Sequence, residues 1–314
     1  MTTTGGVADT TVFSAAGHPF TWVEVIDAAR VRGEWQALQR QVAGLLSREA
    51  ELSATDALPT PEATKVAGTA WRYRNRLLSA DELKEWLTHY GVTVPEWMAE
   101  MRRSLTDPAD GLAQLPDDQF DRVCWVHAVC SGVLTDFARM LAEEVAVALA
   151  EQPDAAPWDH LAALPDIRKR FCTAQLREPV LAAEVHNNRV GWTSLELQML
   201  IHPDEAVTRE AAMCVAVDGR ELADVAADAG ARLLQQHLLL DDADPALRTR
   251  LLGADTGELV GPLSTGSDHC VGMVLKRLAP SLDDPEVRRR AEDTVLHRAL
   301  ATEVNRHVHW HERL

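Results

Sequence analysis

The spacing of apolar residues changes once along the chain, near Trp192, and this change most constrains the fold. Ahead of it, apolar residues such as Trp22, Val25 and Ala29 recur at helical steps, which places them on one face of a helix. Beyond it, residues 195–201 (LELQMLI) alternate and then become fully apolar, as a strand entering a sheet does. We therefore expect an α+β protein with helical N-terminal and middle regions, a four-stranded domain and a C-terminal helix. The predicted strands are 195–201, 233–240, 257–263 and 270–278.

Short breaks rich in Pro, Gly and Asp divide this pattern into segments. The run 58–61 (LPTP) separates two helices, and Ser79 followed by Glu82 predicts a capping box at the start of another helix. Residues 120–150 predict one long helix. The predicted segments are a flexible N-terminus (1–20), a helical N-terminal module (21–105), a helical middle region that begins with a linker (106–191), the four-stranded domain (192–280), and a C-terminal helix and tail (281–314).

The charge of the chain excludes several classes of partner. Its 31 Lys and Arg against 48 Asp and Glu give a formal charge of −17, which repels nucleic acid and anionic lipid. The N-terminus has no basic leader with an apolar run, so we expect a cytoplasmic protein. The five cysteines are scattered, which indicates reduced thiols and neither a disulfide framework nor a zinc site.

Several motifs beyond Trp192 occur together in one known family. Gly257 and Glu258, then Pro262, then a turn that ends at His269 follow one another after the run 252–256 (LGADT). With the order of strands and helices over 192–278, these motifs resemble the parvulin (rotamase) family of peptidyl-prolyl isomerases. Helices on both sides of such a domain resemble the arrangement in SurA-like chaperones. The resemblance implies a groove for an extended peptide between the sheet and its flanking helices.

Motifs in the outer segments narrow the resemblance. Residues 71–74 (WRYR), 77–87 (LLSADELKEWL) and 282–287 (LDDPEV), and the ending 308–310 (VHW), look like rotamase-related proteins of ribosomal-peptide maturation systems. SurA-like proteins are exported, and the expected lack of a signal favours the maturation group. The resemblance implies a precursor peptide and other peptide-modifying enzymes as partners, with no cofactor.

The sequence departs from the parvulin pattern at the expected site. Parvulins usually carry a His on the first strand that faces the His opening the last strand, with a Cys or Asp on the second strand between them. Here the first His would fall at Gln198 or Met199, and we expect His202 to lie just past the strand. Gln235 and its neighbours replace the family's Gly-Asp-Leu-Gly turn. Ordinary prolyl isomerase activity is therefore expected to be weak or absent.

The candidate catalytic residues come from the second strand region and the start of the last strand. His237 or His269 beside Asp241 is a candidate general base, and Cys270 is a candidate nucleophile or proton donor. The alternative is that His269 braces the sheet and Cys270 is a core residue. The candidate substrate-binding residues are Gln198, Met199, Leu238 and Met273.

Three functions are open on this basis, and the first two belong to one pathway. The chain is either a rotamase-derived chaperone that holds a precursor peptide for modification, or an enzyme of the same pathway. The enzyme would be a cyclase that adds a cysteine thiol to a dehydrated residue, or a prolyl isomerase; a general cytoplasmic holdase is the third reading. His307, His309 and His311 are metal-ligating residue types, but we expect them to continue a helix as solvated side chains, so no metal site is predicted.

Overall fold

The computed structural model describes residues 7, 9–110, 116–154, 156–266 and 268–312. The protein is of the mixed α+β class, as predicted, and divides into two compact units. Unit 1 comprises residues 1–172 and 299–314, and unit 2 comprises residues 173–298. Residues 111–115 of the predicted linker and most of 1–8 lie outside the described residues.

Unit 1 is mainly helical and includes one small sheet. Its strands are β1 (Thr11–Ala15), β2 (His18–Thr21) and β7 (Val308–Trp310), in the order β2-β1-β7. Its helices are α1 (Trp22–Val31), α2 (Glu34–Ala54), α3 (Pro61–Arg74), α4 (Ala80–His89), α5 (Val94–Arg103), α6 (Asp117–Ser131), α7 (Val133–Glu151) and most of α8 (Leu164–Gln175), with a 3₁₀ segment at Pro157–Ala163.

Local signals set the helix ends in unit 1. The predicted capping box is confirmed, because Ser79 Oγ accepts from the Glu82 N–H at 3.1 Å and the Ser79 N–H donates to Glu82 Oε2 at 2.7 Å. The single helix expected over 120–150 is wrong: it is interrupted at Gly132, which joins α6 to α7 with a φ of +85°. Only glycine adopts that left-handed conformation without a steric penalty, so the helix cannot continue through it.

The small sheet corrects the prediction of a flexible N-terminus. Residues 11–21 form β1 and β2, and the end of the chain forms β7 beside β1, where a continued helix was expected. Phe13 stacks on Phe20 at 4.5 Å between ring centroids and lies 5.3 Å from Trp310. These aromatic contacts bury Phe13 and Phe20 completely, which explains why two short segments from opposite ends of the chain remain paired.

Unit 2 contains the predicted four-stranded domain. Its strands are β3 (Ser194–His202), β4 (Arg232–Leu239), β5 (Leu259–Thr265) and β6 (Asp268–Leu278), which agree with the predicted strands to within a residue or two at each end. Its helices are α9 (Glu178–Asn187), α10 (Glu205–Ala216), α11 (Leu222–Asp228), α12 (Pro245–Leu251) and most of α13 (Pro285–His307), with a 3₁₀ turn at Leu240–Asp242.

The sheet of unit 2 is antiparallel throughout, in the order β4-β3-β6-β5. One face packs on α12, where Leu247 and Leu251 join a core that includes Leu197. The opposite face packs on α10 and α11, where Ala211 and Val225 join a second core. The apolar side chains of β3 therefore alternate between two separate cores, with Leu197 and Met199 in the first and Leu200 in the second.

A buried group of charged residues lies in the core of unit 1. Glu100 and His127 are 3% and 6% exposed, and His127 Nδ1 lies 2.7 Å from Glu100 Oε1. Arg103 donates to the other Glu100 oxygen at 2.8 Å and to Glu49 at 3.0 Å. Burial alone would raise the pKa of Glu100, but the hydrogen bond from His127 and the charge of Arg103 outweigh burial and lower it.

We expect Glu100→Gln to lower the free energy of unfolding by about 3 kcal/mol at pH 7, because it leaves buried charges without their partner. A carboxyl with a lowered pKa stabilises the fold above its unfolded pKa of about 4.3, and this contribution disappears as the pH falls further. The difference between wild type and variant should therefore shrink below about pH 4.

Urea unfolding at pH 7 and at acid pH measures both quantities. The matched control is Glu51→Gln, since Glu51 pairs with Arg48 at an exposed position and should contribute less than about 1 kcal/mol. Equal losses for the two variants at pH 7 would contradict a stabilising role for the buried group.

Candidate functional site

The predicted site residues divide between the two faces of the sheet in unit 2. Met199, Leu238 and Cys270 lie on the face that packs on α12, and they are 6%, 8% and 1% exposed. This placement does not fit the predicted contact of Met199 and Leu238 with a peptide, because both fill the core. Nor does it fit Cys270 as a nucleophile, since a thiol buried among apolar side chains is inert. These residues stabilise the sheet from within.

Gln198, His237, His269 and Met273 lie on the other face, which packs on α10 and α11. Gln198 and Met273 are directly opposite each other on β3 and β6, and both are half-buried. Met273 packs against the core formed with the two helices. Side chains alternate along a strand, so no peptide on one face of the sheet could contact all eight predicted residues.

His202 and His269 face each other at one end of this face. The prediction that His202 lies past the strand is wrong: it is the last residue of β3 and the register partner of His269 on β6. Ser264 Oγ lies 3.2 Å from His269 Nδ1, and His202 Nδ1 accepts from the Asp204 N–H at 3.0 Å. A facing pair of histidines is thus present, although not at Gln198.

His237 stands apart from this histidine pair. It is opposite Glu196 in the register of β3 with β4, whereas His269 is opposite His202. Six residues along a strand span roughly 20 Å, at about 3.3 Å per residue. His237 Nε2 instead lies 2.6 Å from Ser194 Oγ, whose residue is buried. His237 and His269 therefore cannot act on the same proton.

Asp241 is part of the turn that follows β4. Its backbone N–H donates to the Gly191 carbonyl at 2.8 Å, and its carboxylate lies 3.8 Å from the Arg248 guanidinium. A Cβ on Gly191 would lie only 2.1 Å from Asp241 Oδ2, so the turn packs against a residue without a side chain. These contacts indicate that Asp241 closes the turn and does not orient a catalytic histidine.

The surface that sequence reasoning missed is the edge strand β4. Its first six residues, 232–237, are exposed on both faces, in contrast to β3 beside it. Leu233 and Leu234 are 36% and 37% exposed. The signal in the sequence is the run 235–237 (QQH), because polar residues at consecutive strand positions face both sides of a sheet and so predict that neither side is buried.

The C-terminal histidines do not continue one helix: the half-buried His307 is the last residue of α13, His309 lies on β7, and His311 follows that strand. His309 and His311 are exposed, as expected, and their rings stand 4.8 Å apart, with His311 Nε2 3.0 Å from Ser14 Oγ. Nowhere in the described residues do three or more His, Cys, Asp or Glu side chains converge as metal ligands would. Within the same residues, no helix is long and apolar enough to span a lipid bilayer.

The chain is similar to solved structures of foldases and SurA-like chaperones. It matches the foldase PrsA of Streptococcus pneumoniae at 11% identity and a TM-score of 0.28, over 94% of this chain and 90% of that chain. It matches PrsA of Lactococcus lactis at 8% identity and a TM-score of 0.32, over 96% of this chain and 95% of that chain. It matches a SurA-like chaperone of Campylobacter jejuni at 12% identity and a TM-score of 0.24, over 61% of this chain and 82% of that chain.

No protein-family model and no curated protein matches the chain. The TM-scores of these structural neighbours are too low to carry an argument about function. The argument about function therefore rests on the sheet of unit 2.

We expect His237→Ala to lower the free energy of unfolding by about 1–2 kcal/mol, because the Ser194 hydroxyl loses its partner at a buried position. His269→Ala is the matched control, because the hydrogen bond between His269 and Ser264 is exposed. Loss of that bond should lower the free energy of unfolding by no more than about 0.5 kcal/mol. Urea unfolding of both variants measures the difference. A greater loss for His269→Ala would show that His269, and not His237, braces the sheet.

We also expect weak turnover of a proline-containing tetrapeptide. The register of β4 with β3 ends at Arg232 opposite Ile201, so the chain beside the histidine pair is Ala231 and Arg232, where the parvulin pattern has a Cys or Asp. A protease-coupled isomerisation assay measures the rate. Turnover comparable to that of an authentic parvulin would contradict the expectation and make His202→Ala the next variant to assay.

Proposed function

We propose that this chain is a chaperone that holds extended segments of another polypeptide on the sheet of unit 2. The observation that carries the proposal is β4, an edge strand with six successive exposed residues, two of which are leucines about one third exposed. An open edge offers main-chain donors and acceptors to a further strand, and this mode of recognition tolerates many sequences. A holding protein needs that tolerance, because its substrates have backbone in common and little else.

The finer proposal is that the held chain is the precursor of a ribosomally made peptide, presented in the cytoplasm to modifying enzymes. The motifs at 71–74, 77–87 and 282–287, which look like those of rotamase-related maturation proteins, support it. A net charge of −17 suits a peptide partner better than nucleic acid or a lipid surface. A short precursor gene and genes for peptide-modifying enzymes beside this one would be the first evidence for the pathway.

Prolyl isomerisation is the second candidate function, and the facing histidines His202 and His269 favour it. Two imidazoles beside a bound peptide could polarise or hydrogen-bond its backbone. The cyclase alternative loses its proposed nucleophile, because Cys270 is buried, and loses its proposed base pair, because His237 and His269 are separated along the sheet. Holding the peptide remains the function that more of the geometry supports.

Reduced, carboxymethylated α-lactalbumin, which stays unfolded, tests the proposal as a fluorescent probe. We expect a saturable rise in anisotropy when this chain is added, and no rise with native α-lactalbumin as the control, because only the unfolded probe has free backbone. Excess unlabelled unfolded probe should reverse the rise. Equal signals for unfolded and native probe, or no signal for either, would contradict a holding function.

A further inference from the structure

The two edges of the sheet in unit 2 are protected differently. The β5 edge carries Pro262, which has no N–H to donate, and its register with β6 is interrupted between Val260 and Leu263. Proline and irregular pairing are the usual devices that stop an edge from pairing with another chain. The β4 edge (RLLQQHLL) has no proline, no lysine and no interruption in its register with β3. One edge is closed to a further strand and the other is open.

The register fixes which backbone groups of β4 are available. The Leu240 N–H donates to the Thr193 carbonyl at 3.0 Å, one step beyond the Ser194–Leu239 pair, so the hydrogen-bonded pairs of this ladder are in phase with Leu240. Such pairs alternate along an antiparallel ladder, so the even-numbered residues of β4 bond to β3. The odd-numbered residues Leu233, Gln235 and His237 therefore direct their N–H and C=O groups to the open edge.

Side chains at the edge present apolar surface on both faces. Leu233 is opposite Leu200 in the register, on the α10 and α11 face, and Leu234 is opposite Met199, on the α12 face. Both leucines are about one third exposed at the edge of the sheet. A strand laid beside β4 would cover both leucines with alternate side chains of its own.

Arg232 supplies the electrostatic preference. It is exposed at the start of β4, and among the described residues no carboxylate pairs with it. β4 itself contains this one arginine and no acidic residue, in a chain of net charge −17. In an antiparallel partner strand, the position opposite Arg232 lies toward the partner's C-terminal end. A carboxylate there would complement the charge.

We propose that the β4 edge binds an extended peptide as an additional antiparallel strand, and that the preferred peptide has alternating apolar residues followed by an acidic residue opposite Arg232. This inference rests on the proposed holding function and assigns its site. A second copy of the chain fits the edge less well. Two full-length β4 strands in antiparallel pairing would place Arg232 opposite uncharged leucines, between two chains that each carry −17.

The test uses an acetylated, amidated and fluorescently labelled heptapeptide, SLTLTLE, and its matched variant SLTLTLQ. Gln235→Pro removes an N–H that faces the open edge without removing one that bonds to β3, and Gln235→Ala keeps that N–H. We expect Gln235→Pro to weaken binding of SLTLTLE about tenfold or more, as loss of a hydrogen bond and a steric block predict, and Gln235→Ala to leave it within about twofold.

Arg232→Ala should weaken binding of SLTLTLE about two- to fivefold, which is the range for an exposed ion pair, and should leave SLTLTLQ unaffected. Hydrogen exchange should slow at the amides of Leu233, Gln235 and His237 when peptide binds. If Gln235→Pro has a lowered melting temperature, Leu233→Lys replaces it, because an edge lysine blocks pairing without changing the backbone.

Equal binding of SLTLTLE by Gln235→Pro and Gln235→Ala, at matched melting temperatures, would overturn the inference. So would no binding of either peptide by wild type, or a wild-type dimer that Gln235→Pro converts to a monomer in sedimentation. Unfolded α-lactalbumin separates this inference from the holding function. If Gln235→Pro still binds that probe as wild type does, only the β4 assignment fails, and if wild type does not bind it, the holding function fails.

Discussion

The register of β3 with its two neighbours is the constraint on which the rest of unit 2 depends. Because side chains alternate along a strand, this register decides which residues join the α12 core, which join the α10 and α11 core, and which backbone groups of β4 remain free. A slip of one residue would bury Gln198 in place of Met199 and remove His202 from its position opposite His269. The register therefore sets both the position of the histidine pair and the backbone groups that β4 leaves free at the open edge.

Local features of the sequence predicted most of the elements, and non-local ones were missed. The capping box at Ser79, the break before Pro61 and the four strands of unit 2 follow from a few neighbouring residues each. The sheet of unit 1 does not, because its β1 strand pairs with β7 almost 300 residues along the chain, as the 297-residue separation of Ser14 and His311 illustrates. β1 and β7 are only five and three residues long, and so short a segment has too little pattern to predict which strand it pairs with.

The candidate site could be predicted as a set of residue types but not as a geometry. His269 and Cys270 are adjacent in sequence, and that adjacency places them on opposite faces of the sheet, one half-exposed and one buried. His202 was misplaced because the sequence does not show where a strand ends to within one residue, and a single residue decides whether it faces His269. The exposure of β4 follows from its position at the edge of the sheet, and the run 235–237 is the signal for it in the sequence.

Holding and chemistry would occupy the same end of the sheet. Arg232 begins β4 and lies opposite Ile201, one residue before His202, so a strand paired with the open edge of β4 would end two strand spacings from His202 and three from His269. Neighbouring strands are about 4.8 Å apart, which places both imidazoles roughly 10–15 Å from such a strand. The paired residues themselves would be out of reach of the histidines. Any chemistry by this pair would act on the residues that follow the bound strand, and holding the peptide would be the step that brings them there.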